Sequence, residues 1–286
     1  MVENGILAEA KNKRMMKMPE LPEMENYRCL LSKQIGTKTI TNVIINREKS
    51  INVPVTKFQQ SVIGQTITSI SRRGKHLLFH LQNGYILLLH LMLGGTMYVG
   101  TEEDQPKRTK QVIFYFHEKE LFFIGLRLGY LHLLTKEEAE IELQDLGPEP
   151  LESSFTFEVF EQIIEKKKGK LKTTLVDQHF IAGIGNCYSD EICYYAGILP
   201  MRKCNDLIIE ERKNLFTSIK FVLNRAFELG GYMEMPLYSR DDLTGGYNEN
   251  CYVYDREGES CSRCGHVIIK EEISSRKCFY CKGCQH

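Results

Sequence analysis

The sequence has no apolar run approaching the roughly 20 residues that span a bilayer. Its opening segment, MVENGILAEAKNKRMMK, has neither a long apolar core nor a small-residue cleavage site. A helical membrane span and a cleaved secretory signal are therefore not expected, and a soluble, cytoplasmic protein is. Net charge is also missing: Lys+Arg and Asp+Glu both number 37, so bulk charge neither points to nor excludes a polyanionic partner. Any nucleic-acid face must be local. Core-forming residues are not lacking, because 286 residues at 42% hydrophobic content suffice for one large or two medium domains without disulfide staples. Ten cysteines would suggest disulfides in a secreted chain, yet Cys261, Cys264, Cys278, Cys281 and Cys284 crowd into the last 26 residues. That clustering points to metal.

Residues 1–17 show no sustained periodicity and read as a disordered leader or a mis-assigned start, with Met15, Met16 and Met18 as alternative initiators. From Glu23, the apolar positions Met24, Tyr27, Leu30 and Leu31 recur at helical spacing until Gly36. Between Lys38 and Leu134 the pattern becomes eight short β-rich runs separated by turn signals such as Asn83-Gly84, which predicts a β-sandwich or flattened barrel. Acidic amphipathic sequence follows from Thr135, and the rigid bend Leu146-Gly147-Pro148-Glu149-Pro150-Leu151 marks a domain boundary. Beyond it, helices are predicted over 155–168, 171–177, 186–196 and 206–229, the third preceded by the glycine hairpin Ala182-Gly183-Ile184-Gly185-Asn186. Such a hairpin either aims backbone N–H groups at a phosphate or simply joins two helices. The polar stretch from Gly230 to Asn250 is long enough to be either disordered or functional. The expected fold is α+β: an N-terminal β-sandwich domain with a leading helix over 18–134, a linker over 135–150, a helical domain over 151–249 and a terminal ribbon over 250–286.

The chemistry-bearing residues are spread along the chain. Cys261-x2-Cys264-x16-Cys281-x2-Cys284 has the spacing of a four-thiolate zinc ribbon, in which a structural Zn2+ substitutes for a core so short a module cannot build. Cys278 is a bystander thiol beside it. Arg276, Lys277 and Lys282 give the ribbon a basic tip or a solvated face. Lys75 lies in the basic turn Arg72-Arg73-Gly74-Lys75-His76. Lys166, Lys167, Lys168, Lys170 and Lys172 read as a solvated helix face or a binding patch, Asn186 as a helix cap, and His80 and His90 as core histidines in apolar strands. At the front, Met18-Pro19-Glu20-Leu21-Pro22-Glu23 has two readings. Pro22 opens a helix with an acidic first turn. If Met18 is the initiator and is removed, however, Pro19 carries a free secondary amine with a pKa of roughly 8, a usable nucleophile. Within a longer chain the same nitrogen is a tertiary amide and attacks nothing.

PELPE at the front, RRGK about fifty residues on, LGPEPL at mid-chain, GIGN opening a helix and the terminal four-Cys ribbon, in this order, resemble the formamidopyrimidine-DNA glycosylase and endonuclease VIII family over residues 18–286. The resemblance implies a β-sandwich and a helix-two-turn-helix domain with a zinc finger, together clamping damaged double-stranded DNA. It implies a monomer, nucleoid-associated in a bacterium, that excises oxidised bases and cleaves the abasic strand by β,δ-elimination. Pro19 matches the nucleophile, Glu20 the adjacent acid/base, Lys75 the assisting lysine, and Asn186 and Arg276 phosphate-gripping positions. Arg127, Leu93, His90 and Lys172 are further candidate DNA contacts. The void-filling segment departs from the purine branch: it reads Gly125-Leu126-Arg127-Leu128-Gly129-Tyr130, which places Gly129 at the aromatic wedge. Leu93 falls at the leucine wedge of the endonuclease VIII branch. FIAGIGN and the ending SSR…GCQH lean the same way, PELPE and LGPEPL toward oxidised purines, which are the favoured substrate class. The competing expectation is a catalytically silent damage-binding protein whose N-terminal extension blocks the amine.

Overall fold

A computed structural model of the chain describes residues 17–286, so the expected leader lies outside the described residues except for Lys17. Helix α1 (Leu21–Ile35) starts where the sequence pattern places it. Pro22 sits in its first turn, and the Glu23 carboxylate accepts the Glu20 N–H at 2.9 Å. Met24, Tyr27, Leu30 and Leu31 line its buried face, each contributing roughly 2 kcal/mol of burial. It stops at Gly36, where a Cβ would lie 2.3 Å from the Ser32 carbonyl oxygen.

The eight expected strands all form: β1 (Asn42–Ile45), β2 (Ile67–Arg73), β3 (His76–Leu81), β4 (Ile86–His90), β5 (Thr96–Gly100), β6 (Lys110–Tyr115), β7 (Glu120–Ile124) and β8 (Tyr130–Leu134). They make two antiparallel four-stranded sheets, ordered β1-β6-β7-β5 and β2-β3-β4-β8. Alternation places Val43, Val112, Phe114, Leu121 and Phe123 of one sheet against Leu77, Phe79, Leu87, Leu89 and Leu131 of the other in one core. A helix absent from the sequence reading, α2 (Val55–Val62), lies between β1 and β2. Its signal was Pro54 before Phe58 and Val62, an i,i+4 pair that is fully buried.

The acidic segment after Thr135 is α3 (Lys136–Leu143), which lays Ala139 and Leu143 on the outer face of the second sheet against Leu78, Ile86 and Leu88. The second half contains α4 (Phe157–Ile164), α5 (Leu171–Leu175), α6 (Asn186–Ala196) and α7 (Ile209–Glu228), packed around their own core. The hairpin β9 (Ile269–Ile273) and β10 (Arg276–Tyr280) completes the chain. No helix among the described residues is long and apolar enough to cross a membrane.

Two connections fix how the halves meet. Glu149, in the Pro-rich bend, accepts hydrogen bonds from Arg72 Nη1 at 2.6 Å, Arg73 Nη1 at 2.9 Å and the Gly74 amide, and Arg73 Nη2 also donates to the Leu146 and Gly147 carbonyls. The bend is thus strapped to the turn that carries Lys75. The stretch from Gly230 to Asn250 is packed rather than loose. Val99 N–H donates to the Leu237 carbonyl, the Tyr27 hydroxyl to the Met235 carbonyl and Asn26 to Thr244, while Leu237 is wholly buried in the sandwich core.

Candidate active site

Eight separate stretches of chain line one small cavity of about 190 Å³, formed by Lys17, Met18, Glu20, Lys75, Leu93, Val176, Gly185, Asn186, Tyr232, Tyr254 and Arg276. Each arrives by a local device. Glu20 immediately precedes α1, and its carboxylate reaches into the start of α6, accepting N–H groups of Gly185 at 2.6 Å, Cys187 at 2.9 Å and Tyr188 at 3.3 Å. Those amides are the orphan donors of the helix N-terminus, so Glu20 of the first half caps a helix of the second. Lys75 is the second residue of a two-residue hairpin turn between β2 and β3, where Gly74 adopts φ +55°. Arg276 leaves a similar turn, Ser274-Ser275, in which both serines take positive φ, and is exposed at the cavity mouth.

Gly185 explains why a glycine must precede Asn186. A Cβ there would lie 2.5 Å from Glu20 Cδ and 2.7 Å from Lys75 Nζ. Gly183 adopts φ +93°, and its Cβ would lie 2.6 Å from Leu21 Cβ. The glycine hairpin therefore allows close approach of backbone to Glu20, Lys75 and Leu21.

Exclusion of water dominates the electrostatics. Burial raises the Glu20 carboxyl above its ordinary range, with Lys75 and the three amide donors pulling the other way. The same loss of water lowers the Lys75 ammonium, against the pull of Glu20 and Glu23. Glu23 is pushed up to about 7 by burial and by the neighbouring Glu20 charge. It accepts the Tyr188 hydroxyl at 2.6 Å and the Tyr232 N–H at 2.8 Å.

The structure gathers Glu20, Lys75, Leu93, Asn186 and Arg276 at the cavity, with Pro19 between the cavity-lining Met18 and Glu20. Three readings are corrected. Asn186 is not the cap of α6: it occupies the first helical position after Gly185, exposed, and the Glu20 carboxylate does the capping. The same carboxylate occupies the amides of Gly185, Cys187 and Tyr188, so these are not free for a phosphate. Lys172 is neither a solvated residue nor a presented contact. It is fully buried, with Nζ 2.7 Å from Asp190 Oδ1 and 2.8 Å from the Asn186 carbonyl oxygen. Gly129, which stands where the purine branch carries its aromatic wedge, has no room for a side chain, because a Cβ there would lie 2.4 Å from the His90 carbonyl oxygen. Its neighbour Leu128 is 63% exposed, and Leu93, on the adjoining loop, 43%.

The other expected contacts lie apart from the cavity lining. Arg127 is exposed beside Leu128. His90 packs its ring 4.4 Å from that of His76, and burial, with the neighbouring His76 and Lys75, holds it down at about 3. Tyr232, Tyr254 and Val176 were missed, since nothing in their local sequence distinguishes a cavity-lining side chain from a core one.

The four cysteines of the ribbon bring their sulfur atoms within 4.8 Å of one another, with Cys261 to Cys284 at 3.8 Å and Cys264 to Cys281 at 3.4 Å. A tetrahedral zinc with Zn–S of ~2.3 Å requires sulfurs about 3.8 Å apart, so the donor set fits that metal. Cys278 lies outside the cluster and donates to Asp190 Oδ1 at 3.3 Å.

Comparison with known proteins places both halves. Residues 18–130 match the Formamidopyrimidine-DNA glycosylase N-terminal domain and residues 146–235 the Formamidopyrimidine-DNA glycosylase H2TH domain. By class, then, this is a DNA glycosylase. A Formamidopyrimidine-DNA glycosylase of Shouchella clausii is 37% identical over 274 residues, covering 94% of this chain and 99% of the relative. One from Listeria monocytogenes is 35% identical over 273 residues, covering 94% and 100%. The Lactococcus lactis Fpg in complex with an abasic site containing DNA superposes with a TM-score of 0.87 at 30% identity, covering 93% of this chain and 99% of that one. The chain belongs to the formamidopyrimidine-DNA glycosylase family, a family of DNA glycosylase/AP lyase enzymes.

Proposed function

We propose that the protein removes oxidised bases from damaged double-stranded DNA and cleaves the resulting abasic strand, with Pro19 as nucleophile in a chain that begins there. The observation that carries this reading is the convergence of Glu20, Lys75, Asn186 and Arg276 on one cavity, with Pro19 between the lining residues Met18 and Glu20. The Pro19 nitrogen lone pair forms a bond to C1′ as the glycosidic bond breaks, and the departing base takes up a proton. The nitrogen then loses its proton, its lone pair makes the C1′ iminium, and the C1′–O4′ bond opens with O4′ protonated by Glu20. Loss of a C2′ proton expels the 3′ phosphate, and loss of the C4′ proton expels the 5′ phosphate. Lys75 and Arg276 assist and hold phosphate, with Asn186 beside them. A nucleotide must leave the stack to be attacked, and Leu93, Arg127 and Leu128 stand on adjoining loops where they fill the space it vacates. Oxidised purines are the favoured class. The four thiolates hold one structural zinc, which fixes the hairpin carrying Arg276. The working division is 18–134 catalytic sandwich, 135–150 linker, 151–249 helical domain and 250–286 zinc finger, in a cytoplasmic monomer.

Borohydride trapping tests the reading: a protein beginning at Pro19 should give a covalent adduct with an abasic duplex, and Pro19→Gly or retention of residues 1–17 should abolish it. An untrapped Pro19-start protein would sink it. One observation favours the second reading, a silent damage binder. Lys17 and Met18 form part of the cavity wall, held by the Gly94 N–H on the Lys17 carbonyl at 3.1 Å and by Lys17 Nζ 3.5 Å from Asp255. Intact mass of the native protein separates the two, a Pro19 start favouring the enzyme and a Met1 start the binder.

A further inference from the structure

Tyr232 reaches the cavity through a chain of close contacts. It follows Gly230 and Gly231, both at positive φ, where α7 ends. Gly231 has no room for a side chain, since its Cβ would lie 2.2 Å from Glu23 Oε1. That approach lets the same oxygen accept the Tyr232 N–H at 2.8 Å, while Glu23 Oε2 accepts the Glu20 N–H at 2.9 Å. One buried carboxylate thus ties Tyr232 to the backbone directly after Pro19. The ring is 2% exposed and meets Tyr188 and Tyr254 edge-on, with centroids 5.7 and 5.6 Å away. Its rotational freedom is therefore small.

The hydroxyl of this fixed ring donates to the Met18 carbonyl oxygen at 3.2 Å. In a peptide that oxygen lies about 2.3 Å from the nitrogen of the following residue, given bond lengths of ~1.23 and ~1.33 Å. The hydroxyl is accordingly no more than about 5.5 Å from the Pro19 nitrogen, on the side where the acyl group is attached. In a chain that begins at Pro19, that side carries the amine hydrogen and lone pair instead. A secondary amine has one of each, and whatever accepts the hydrogen decides where the lone pair points.

We infer that Tyr232 is a positioning residue for the Pro19 amine: its hydroxyl oxygen accepts the amine N–H and so directs the nitrogen lone pair into the cavity. This rests on the Schiff-base reading above. Burial holds the Tyr232 phenol well above its ordinary value, so it stays neutral and able to accept through the working pH range. The titratable and charged groups around the amine and this ring are Glu20 just before α1, Glu23 on α1, Lys75 at the β2–β3 turn and Cys187 and Tyr188 on α6. Tyr254 and Asp255 face it from the segment before the ribbon and Arg276 from β10, with Lys17 added when the leader is retained.

The test is single-turnover borohydride trapping on an abasic duplex from pH 5 to 9, with Tyr232→Phe in a protein beginning at Pro19. The plateau rate should fall about tenfold with DNA affinity unchanged. The acid limb should move down by roughly half a pH unit, because a hydroxyl oxygen holds the protonated amine more strongly than the neutral one. A folded Tyr232→Phe with full rate and an unmoved limb overturns the inference, as does a slower rate accompanied only by weaker DNA binding. Should Tyr232→Phe lose its melting transition or its metal, 3-fluorotyrosine at position 232 keeps the shape and weakens the acceptor. The limb should then shift in the same direction, and an unmoved limb counts against Tyr232. If the unsubstituted Pro19-start protein is not trapped at all, the Schiff-base reading fails and takes the inference with it.

Discussion

Gly185→Ala is the sharpest single perturbation of the site, because the backbone at Gly185, φ −133° and ψ −152°, is open to alanine and the effect is therefore steric. The added methyl would lie 2.5 Å from Glu20 Cδ, 2.6 Å from Glu20 Oε1 and 2.7 Å from Lys75 Nζ. Ordinary contact begins near 3.5 Å, so about 1 Å of displacement must be found. Lys75 Nζ ends a flexible chain and can yield. The Glu20 carboxylate cannot yield cheaply, since it is held by three amides at 2.6, 2.9 and 3.3 Å, and hydrogen bonds to a charged group are worth about 1.5–3 kcal/mol each. Misplacement of a catalytic group by about 1 Å costs on the order of a hundredfold in rate. Single-turnover trapping of an abasic duplex should therefore fall by about two orders of magnitude while bound zinc is retained, and the melting temperature should drop as the α6 cap loosens. A Gly185→Ala protein with unaltered rate would refute the claim that this glycine exists to admit the Glu20 and Lys75 side chains.

Other consequences follow from buried charge and metal. Lys172→Met should destabilise the protein by about 3–5 kcal/mol by leaving Asp190 unpaired in the core, and Lys172→Met with Asp190→Leu should recover much of it; denaturant melts measure both. Glu149→Ala should cost about 3 kcal/mol, because Arg73 loses its carboxylate and Arg72 keeps only Glu25, and should slow trapping through the loosened Lys75 turn. His76 is held down at about 4 by burial, below its unfolded value of about 6.5, so the unfolded state binds the proton first and stability falls as pH drops from about 6.5 to 4. The loss is about 3 kcal/mol, and His76→Phe should flatten that part of a stability-against-pH curve. Chelation should release one metal per chain, detectable with a colorimetric zinc indicator, and abolish trapping as the Arg276 hairpin loses its anchor.

Much of this protein was legible in one dimension because the deciding interactions are local or periodic. The eight strands are short β-rich runs set apart by turn signals, α1 repeats its apolar face at helical spacing, and two CxxC pairs at a short separation specify a tetrahedral sulfur site. Helix α2 was lost among the strands because eight residues with two apolar anchors hardly differ from a loop. Lys172 was misread for a related reason: a lysine in a basic run scores as solvated, and its buried partner Asp190 lies 18 residues away. The loss of the aromatic wedge at Gly129 was legible from motif register, but that the His90 carbonyl leaves no room there for any side chain is known only from coordinates.

The sequence by itself determined most element types and the thiolate set from local patterns, and the candidates Pro19, Glu20, Lys75, Asn186 and Arg276 through the order of their motifs along the chain, which resembles that of the family. Tertiary structure alone decided that Glu20 caps a helix 165 residues away, that Glu149 straps the Lys75 turn, and that Glu23 ties Tyr232 beside the proline. These are buried polar contacts between distant segments. Their geometry is set by how two cores pack against each other, which no local pattern encodes.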